Sequence, residues 1–307
     1  MKQQLPNFLL IGAAHAGTTA LYYFCQQHPQ IYMSPIKETN YFAFEGEKLD
    51  CEVHNPDLVK QISISNIEKY YSLFQNVSNE KAIGEASPSY ISSPGAAQRI
   101  QECIPNAKIV AILRHPVDRA YSETIRYSGG NESGLARLVE TLDITKEDLF
   151  QKKIWRLPIS KGLYHSQLER YFAQFNPDQI KVLLYEDLKN SPQDLMKDLF
   201  NYLGVDAEFI PDTTQTYNKS GQTKNKLINK IILAPKSSPI VKILKLYLPG
   251  NLKNFLVNLQ NQLRNKNMAS PVPLPPDIKQ KIIQKYYRED ILKLQDLIQR
   301  DLSSWLV

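Results

Sequence analysis

A glycine-rich turn lies directly between an apolar run and a helical run at the start of the chain. Residues 8–11 are all apolar, the turn covers residues 12–19, and a helical pattern begins at Ala20. A strand, a glycine-rich turn and a helix N-terminus in this order can bind phosphate through backbone N–H groups and the helix dipole. The segment therefore predicts an α/β fold with a phosphate site after its first strand.

The residues of this turn argue against a nucleoside triphosphate. Gly12 and Gly17 have the spacing of the ATP/GTP loop, but Thr18 stands where that loop carries the lysine that reaches the β- and γ-phosphates. Without this lysine, the turn favours a smaller phosphate group that is bound without a metal ion. The structural alternative is a tight turn that only caps a helix.

A second phosphate-binding pattern follows later in the chain. Lys108–Leu113 reads as an apolar strand, and Pro116 suits the first turn of the helix after it. Arg114 would then lie at the end of the strand, and Ser122 would lie about two turns into the helix. Both can face the crevice beyond the carboxyl ends of a parallel sheet. Because a guanidinium and a hydroxyl together can clamp a phosphate, the two patterns predict a ligand with two separate phosphate groups.

At these residues the chain resembles the sulfotransferases that use 3′-phosphoadenosine 5′-phosphosulfate (PAPS). Residues 12–19 are similar to their 5′-phosphosulfate loop, and Arg114-x-Pro116-x-x-Arg119-Ala120-x-Ser122 resembles their 3′-phosphate motif. Further similar runs occur in order at residues 27–31, 34–38, 84–90, 161–164 and 218–221. The resemblance covers most of the chain and implies a P-loop-like parallel β-sheet flanked by helices.

The resemblance also implies where the donor binds. The proposed contacts are the loop residues His15, Ala16, Gly17, Thr18 and Thr19, the pair Arg114 and Ser122, and the basic turn Lys219, Ser220 and Gly221. PAPS would be the co-substrate, and no metal ion is expected. The five histidines are scattered, and the three cysteines lack the spacing of a metal site.

The implied reaction moves the sulfuryl group of PAPS to a hydroxyl of a carbohydrate or glycolipid. Glu38 matches the glutamate that acts as general base in sugar sulfotransferases, and Lys37 would stabilise the sulfuryl oxygens. Considered alone, Lys37 and Glu38 are better interpreted as a solvated pair on a loop, and it is the resemblance that favours catalysis. Glu85 could face the acceptor or hold a loop together.

His15 departs from the pattern of the family. Family members often carry lysine at this position, where it stabilises the leaving group, whereas the charge of histidine depends on its local pKa. His15 could act as a protonated or neutral donor, or it could only shape the loop while Lys37 or another cation substitutes. The third alternative is a slow or inactive enzyme. If protonated His15 is required, activity should fall as the pH rises through its pKa.

The length allows one large α/β domain or two small ones, and the recurring pattern of a strand followed by a helix favours one. We therefore predict a single domain over residues 1–307, with a core at about residues 5–217. Strands are predicted at residues 8–11, 31–33, 82–84, 108–113 and 180–184, and helices at residues 19–27, 95–103, 116–127, 162–175 and 192–203. This alternation favours a mostly parallel sheet covered on both faces. After a proline-rich linker at residues 270–276, a helical pattern predicts a closing segment over residues 276–306.

Residues 218–270 combine positive charge with apolar side chains. No Asp or Glu occurs between Asp212 and Asp277, whereas this interval holds ten basic residues: Lys219, Lys224, Lys226, Lys230, Lys236, Lys242, Lys245, Lys253, Arg264 and Lys266. Such a segment could complete the core, lie on an anionic membrane or bind an acidic glycan. Nucleic acid is not expected, because no nucleic-acid-binding motif accompanies the charge.

Cysteine usage and the absence of a signal peptide predict a cytoplasmic protein, with peripheral contact at the inner membrane face if residues 219–266 bind lipid. No apolar run approaches the roughly 20 residues that span a bilayer. Two other function classes stay open. One is a nucleotide-dependent phosphoryl-transfer enzyme, and the other is a degenerate protein that binds 3′,5′-bisphosphoadenosine (PAP) or a membrane without catalysis.

Overall fold

The computed structural model describes residues 4–44, 64, 66–128, 131–145, 157–215 and 272–307. Five strands form one parallel sheet in this part of the chain, and their spatial order is β2-β3-β1-β4-β5. The strands are β1 (Phe8–Gly12), β2 (Ile31–Met33), β3 (Ala82–Ala86), β4 (Lys108–Leu113) and β5 (Ile180–Leu184). The predicted α/β fold is therefore confirmed.

Helices connect and cover these strands. In chain order they are α1 (Thr18–Gln26), α2 (Tyr41–Phe44), α3 (Ile67–Ser72), α4 (Ala96–Cys103), α5 (Pro116–Ser128), α6 (Asn131–Glu140), α7 (Tyr164–Phe172), α8 (Tyr185–Asn190), α9 (Pro192–Leu203), α10 (Pro276–Ile282) and α11 (Arg288–Ile298). Short 3₁₀ turns lie at Thr141–Asp143, Ser160–Gly162, Pro177–Gln179 and Ser303–Leu306. Within the described ranges, no helix has the length and apolar character needed to cross a membrane.

The sheet is buried on both faces. All five residues of β1 are buried, and so is β4 from Ile109 onward. Leu9 and Ile11 belong to one apolar cluster, whereas Phe8 and Leu10 belong to another. Because successive side chains of a strand point to opposite faces, helices must cover both sides. Helices α1 and α9 supply the second cluster, and α4, α5, α7 and the C-terminal helices supply the first.

The strand order places a ligand crevice at the end of β1. The chain passes from β1 to β2, returns to β3 beside β1, and then crosses to β4 on the other side of β1. Open α/β sheets bind ligands where the order reverses in this way. Backbone hydrogen bonds join the three strand ends: Ser87 donates to Leu10, and Ala13 donates to Ile112.

The C-terminal segment is helical, as predicted. Helices α10 and α11 are joined by a π-helical turn at Ile283–Tyr287. Tyr287 donates from its hydroxyl to the carbonyl of Ile159 at 2.8 Å, and Asp290 accepts the N–H of His165 at 3.1 Å. These contacts hold the segment against the start of α7. The basic segment at residues 218–270 lies outside the described residues, and the single domain stays a prediction.

Candidate active site

The turn after β1 presents the N-terminus of a helix at the edge of the sheet. Helix α1 begins at Thr18, and its N-cap is Gly17, which has φ 105° and no side chain to cap the helix. A Cβ on Gly17 would lie 2.8 Å from the Leu188 side chain, so this position requires glycine. The first N–H groups of a helix lack intrahelical partners, and they can therefore bind an anion.

The other loop residues contribute in different ways. Ala16 and Thr18 are buried, Thr19 is half-buried, and His15 has a left-handed backbone at φ 66°. Such a conformation is uncommon for a residue with a Cβ and is often found at functional sites. The turn is therefore shaped mainly by its backbone, as the sequence predicts for a phosphate cradle.

Arg114 lies beside this turn. Its Nη1 donates to the carbonyl oxygen of His15 at 3.3 Å, and its guanidinium carbon lies 4.8 Å from the centre of the Tyr185 ring. The hydroxyl of Tyr164 donates to the carbonyl of Arg114 at 3.0 Å. The structure therefore brings the two sequence patterns together, with Arg114 fixed between β4 and the turn.

Helix α5 follows Arg114 and carries Ser122, which is buried. It also carries three residues that sequence analysis did not assign to the site: Glu123, Arg126 and Tyr127. The Tyr127 ring lies edge-on to the His15 ring, with their centres 6.1 Å apart. The four-residue spacing of Arg119, Glu123 and Tyr127 could have indicated a shared helix face. No local signal could have indicated that this face meets the turn after β1.

His15 is neutral near pH 7 in these surroundings. Burial lowers the pKa of His15 to about 3; Glu123 opposes this shift, whereas Arg119, Arg126 and Lys161 add to it. A donor that carries negative charge would raise the pKa of His15, because an anion favours the protonated ring. A protonated His15 therefore requires a charge that these residues do not supply.

Lys37 and Glu38 form an ion pair on the loop after β2. The Lys37 Nζ atom lies 2.5 Å from the Glu38 carboxylate, and the Glu38 side chain is 52 % exposed whereas that of Lys37 is 16 % exposed. Glu38 also has a left-handed backbone at φ 65°, and its N–H donates to the carbonyl of Ala86 at 2.8 Å. The loop thus places an accessible carboxylate at the end of β3, on the same sheet edge as the turn.

Glu85 holds this loop in place. It is fully buried, and its Oε1 accepts hydrogen bonds from Ser87 at 2.5 Å and from Thr39 at 3.1 Å. Burial raises the pKa of Glu85 to about 7, although these hydrogen bonds oppose the shift. Asn40 connects Ser87 to the loop of Glu38, because the N–H of Asn40 donates to the Ser87 hydroxyl and its side chain donates to the carbonyl of Glu38. Of the two sequence interpretations, the structure favours the supporting role.

Two further predictions from the sequence concern the basic turn at residues 219–221 and the metal ion. Lys219, Ser220 and Gly221 lie outside the described residues. In the part of the chain that the structure does describe, no group of His, Cys, Asp and Glu side chains could hold a metal ion. What the described residues bring together is a helix N-terminus, several cations and an exposed carboxylate, which suits an anionic group next to a base.

Three comparisons point to the same class of protein. The profile of a family described as "Sulfotransferase family" matches residues 6–209. The chain is 25 % identical over 309 residues to the membrane-associated sulfotransferase kil1 of Dictyostelium discoideum, covering 73 % of this chain and 62 % of that protein. It is 30 % identical over 208 residues to a bifunctional heparan sulfate N-deacetylase/N-sulfotransferase of Mus musculus, covering 66 % of this chain and 22 % of that protein.

A solved structure is similar over nearly the whole chain. The crystal structure of a sulfotransferase from Alicyclobacillus acidocaldarius superposes with a TM-score of 0.69 at 28 % sequence identity, and the match covers 98 % of this chain and 99 % of that one. By contrast, the chain spans less than two thirds of either curated relative. The match to the solved structure supports the α/β fold described above.

Proposed function

The chain belongs to the sulfotransferase family, and on this premise we propose that it transfers the sulfuryl group of PAPS to a hydroxyl of a carbohydrate or glycolipid. One observation carries the proposal. The helix N-terminus after β1, Arg114 after β4 and the exposed Glu38 carboxylate lie along one edge of the sheet. Relatives named for heparan sulfate N-sulfotransferase activity support a carbohydrate acceptor. The products would be the sulfated acceptor and PAP.

The donor would bind through three groups of residues. His15, Ala16, Gly17, Thr18 and Thr19 would surround its 5′-phosphosulfate, because the start of α1 offers N–H groups and a positive dipole end. Arg114 and Ser122 would bind the 3′-phosphate, and the fixed guanidinium supports this role. Lys219, Ser220 and Gly221 would complete the site, as the resemblance implies.

Glu38 would act as the general base. As the acceptor oxygen forms a bond to sulfur, the bond from sulfur to the 5′-phosphate oxygen breaks and its electron pair leaves with PAP. The Glu38 carboxylate takes the acceptor proton, and its exposure makes it reachable from solvent. Lys37 lies within 2.5 Å of this carboxylate and would stabilise the charge on the sulfuryl oxygens.

His15 would assist the leaving group. A neutral imidazole can donate one N–H hydrogen bond, and the negative charge of the donor would move the ring toward its protonated form. This role agrees with the position of His15 in the turn, where its carbonyl is held by Arg114. The cytoplasmic location and the membrane contact of residues 219–266 stay predictions.

Calorimetric titration tests the donor. We expect PAP to bind without magnesium, and Arg114→Ala to weaken this binding by at least about 10-fold, because a charge-assisted hydrogen bond is lost. Arg137→Ala, on the exposed surface of α6, is the matched control and should bind PAP like the wild type.

Two outcomes would favour the other function classes. No PAP binding, together with clear binding of ATP and magnesium, would overturn the proposal in favour of phosphoryl transfer. PAP binding without sulfate transfer to any member of a panel of glycans and glycolipids would instead indicate a degenerate binding protein.

A further inference from the structure

Arg119, Glu123 and Lys161 form an ion-pair cluster next to the candidate site. Arg119 donates from Nη1 to one carboxylate oxygen of Glu123 at 2.8 Å, and Lys161 donates from Nζ to the other at 2.5 Å. Arg119 also donates from Nη2 to the carbonyl of Pro158. We call these three residues the charge cluster.

The charge cluster has an excess positive charge in a mostly buried place. The side chains of Arg119 and Glu123 are 0 % and 5 % exposed, whereas that of Lys161 is 25 % exposed. Burial would raise the pKa of Glu123, but Lys161 and Arg119 lower it to about 2, so its carboxylate is charged. Two cations and one anion leave a single positive charge. Since burying an uncompensated charge is unfavourable, the cluster favours an anion that can reach Lys161.

Helix geometry places the charge cluster beside the turn after β1. Arg119, Glu123 and Tyr127 are four residues apart on α5 and share one face of that helix. The Tyr127 ring, one turn beyond Glu123, lies next to the His15 ring. Glu123 therefore lies on the same side of the site as His15. The ammonium of Lys161, which is paired with Glu123, lies there too.

The backbone of Lys161 is also held in place. It lies in the Ser160–Gly162 turn, and its N–H donates to the carbonyl of Leu157 at 3.2 Å. A Cβ at Gly162 would lie 2.7 Å from the hydroxyl of Tyr287, so the C-terminal segment packs directly against this turn. The turn is thus fixed on both sides, whereas the Lys161 side chain keeps 25 % of its surface exposed.

We propose that Lys161 binds the anionic 5′ end of PAPS, and that Glu123 is the positioning residue that holds its ammonium. This assignment rests on the proposed function, and it adds a contact outside both the turn after β1 and the Arg114–Ser122 motif. Arg119 in turn fixes Glu123 and does not touch the donor. The buried carboxylate thus serves as an anchor, whereas Glu38 serves as the base.

Two ligands that differ in the 5′-phosphate test whether Lys161 binds the 5′ end of the donor. PAP carries both a 3′- and a 5′-phosphate, whereas adenosine 3′-monophosphate lacks the 5′-phosphate. We expect Lys161→Met to weaken PAP binding about 10- to 100-fold in calorimetry, because one charge-assisted contact is lost. Binding of adenosine 3′-monophosphate should change by less than about twofold, and Lys161→Arg should restore most of the affinity for PAP.

Lys181→Met is the matched control. Lys181 pairs with Asp198 at 2.7 Å and is 28 % exposed, so it resembles Lys161 in both respects but lies on β5. Its replacement should alter neither affinity. If Lys161→Met does not fold, as judged by thermal unfolding, Lys161→Gln carries the same expectation.

The outcomes separate the two proposals. Equal weakening of both ligands, or no weakening of PAP, would overturn the role of Lys161 while the loss of PAP binding in Arg114→Ala still supports the proposed function. A wild-type protein that does not bind PAP would overturn both.

Discussion

The two sides of the candidate site are built by different parts of the polypeptide. On the proposed donor side, the turn after β1 is fixed by a backbone hydrogen bond from Ala13 to Ile112 and by a glycine that cannot be replaced without a clash. On the proposed acceptor side, a backbone hydrogen bond from Glu38 to Ala86 is joined by side-chain contacts: Thr39 and Ser87 donate to buried Glu85, and Asn40 donates to the carbonyl of Glu38. A backbone cradle suits the constant phosphate groups of a donor, whereas a side-chain scaffold can vary with the acceptor. We therefore expect donor-side changes to affect binding and acceptor-side changes to affect turnover.

The largest expected effect separates turnover from binding. Glu38→Gln removes the proposed base, so sulfate transfer should fall about 10²- to 10⁴-fold, while PAP affinity changes by less than about threefold. Transfer rates and PAP calorimetry on the same preparation check this. Glu208→Gln is the control, because Glu208 is also paired with a lysine, Lys197, but follows helix α9 and has a side chain that is 78 % exposed. A transfer rate within about tenfold of the wild type would show that Glu38 is not the base.

The next prediction tests whether the backbone of the turn after β1 binds the donor. Gly17→Ala places a Cβ at φ 105° and 2.8 Å from Leu188, so we expect a loss of about 1–3 kcal/mol of stability together with loss of measurable PAP binding. Gly204→Ala is the matched control. Gly204 also has a positive φ of 78°, but the nearest atom to its Cβ would be 4.0 Å away. That variant should lose about 1 kcal/mol of stability and keep its PAP affinity. Retained PAP binding in Gly17→Ala would contradict the backbone cradle.

A smaller effect concerns the scaffold on the acceptor side. The pKa of Glu85 is raised in the fold to about 7, so the stability that its protonated form contributes is complete below its ordinary pKa and is lost as the pH rises through 7. Glu85→Gln stays neutral. Between pH 6 and pH 8, the wild type should therefore lose about 1 kcal/mol more unfolding free energy than this variant.

Urea unfolding at the two pH values measures this difference. Glu102→Gln, on the exposed surface of α4, should follow the wild type. Parallel losses of unfolding free energy in the wild type and Glu85→Gln would mean that Glu85 does not titrate in this range.

The smallest expected effect concerns the charge of His15 in the free protein. Because burial lowers the pKa of His15 to about 3, the ring does not change charge in the free protein between about pH 5 and pH 8. The pH dependence of kcat/KM for PAPS, which reports the free enzyme, should therefore keep its shape in His15→Gln. A decrease with rising pH near 6.5 that disappears in His15→Gln would show instead that the protonated ring is required before the donor binds.

Much of the fold could be predicted because its strands are buried on both faces and read as plain apolar runs. Three predicted strands, β2, β4 and β5, have the bounds found in the structure. Strand β3 is longer than predicted: it continues to Ala86, because Glu85 is buried with hydrogen-bond partners and need not end the strand. Helix α7 is shorter than its predicted span of residues 162–175 at both ends, since residues 160–162 form a separate 3₁₀ turn and the helix ends at Phe172.

The sequence by itself determined the order of strands and helices and the placement of the glycine turn and Arg114 at strand ends, because these follow from local periodicity and turn chemistry. Only the tertiary structure decided the charge state of His15, the supporting role of Glu85 and the pairing of Lys161 with Glu123. The physical reason is that burial and Coulomb interactions act through space. Glu123 and Lys161 are 38 positions apart in the chain, and the sequence between them therefore does not indicate that they are in contact at 2.5 Å.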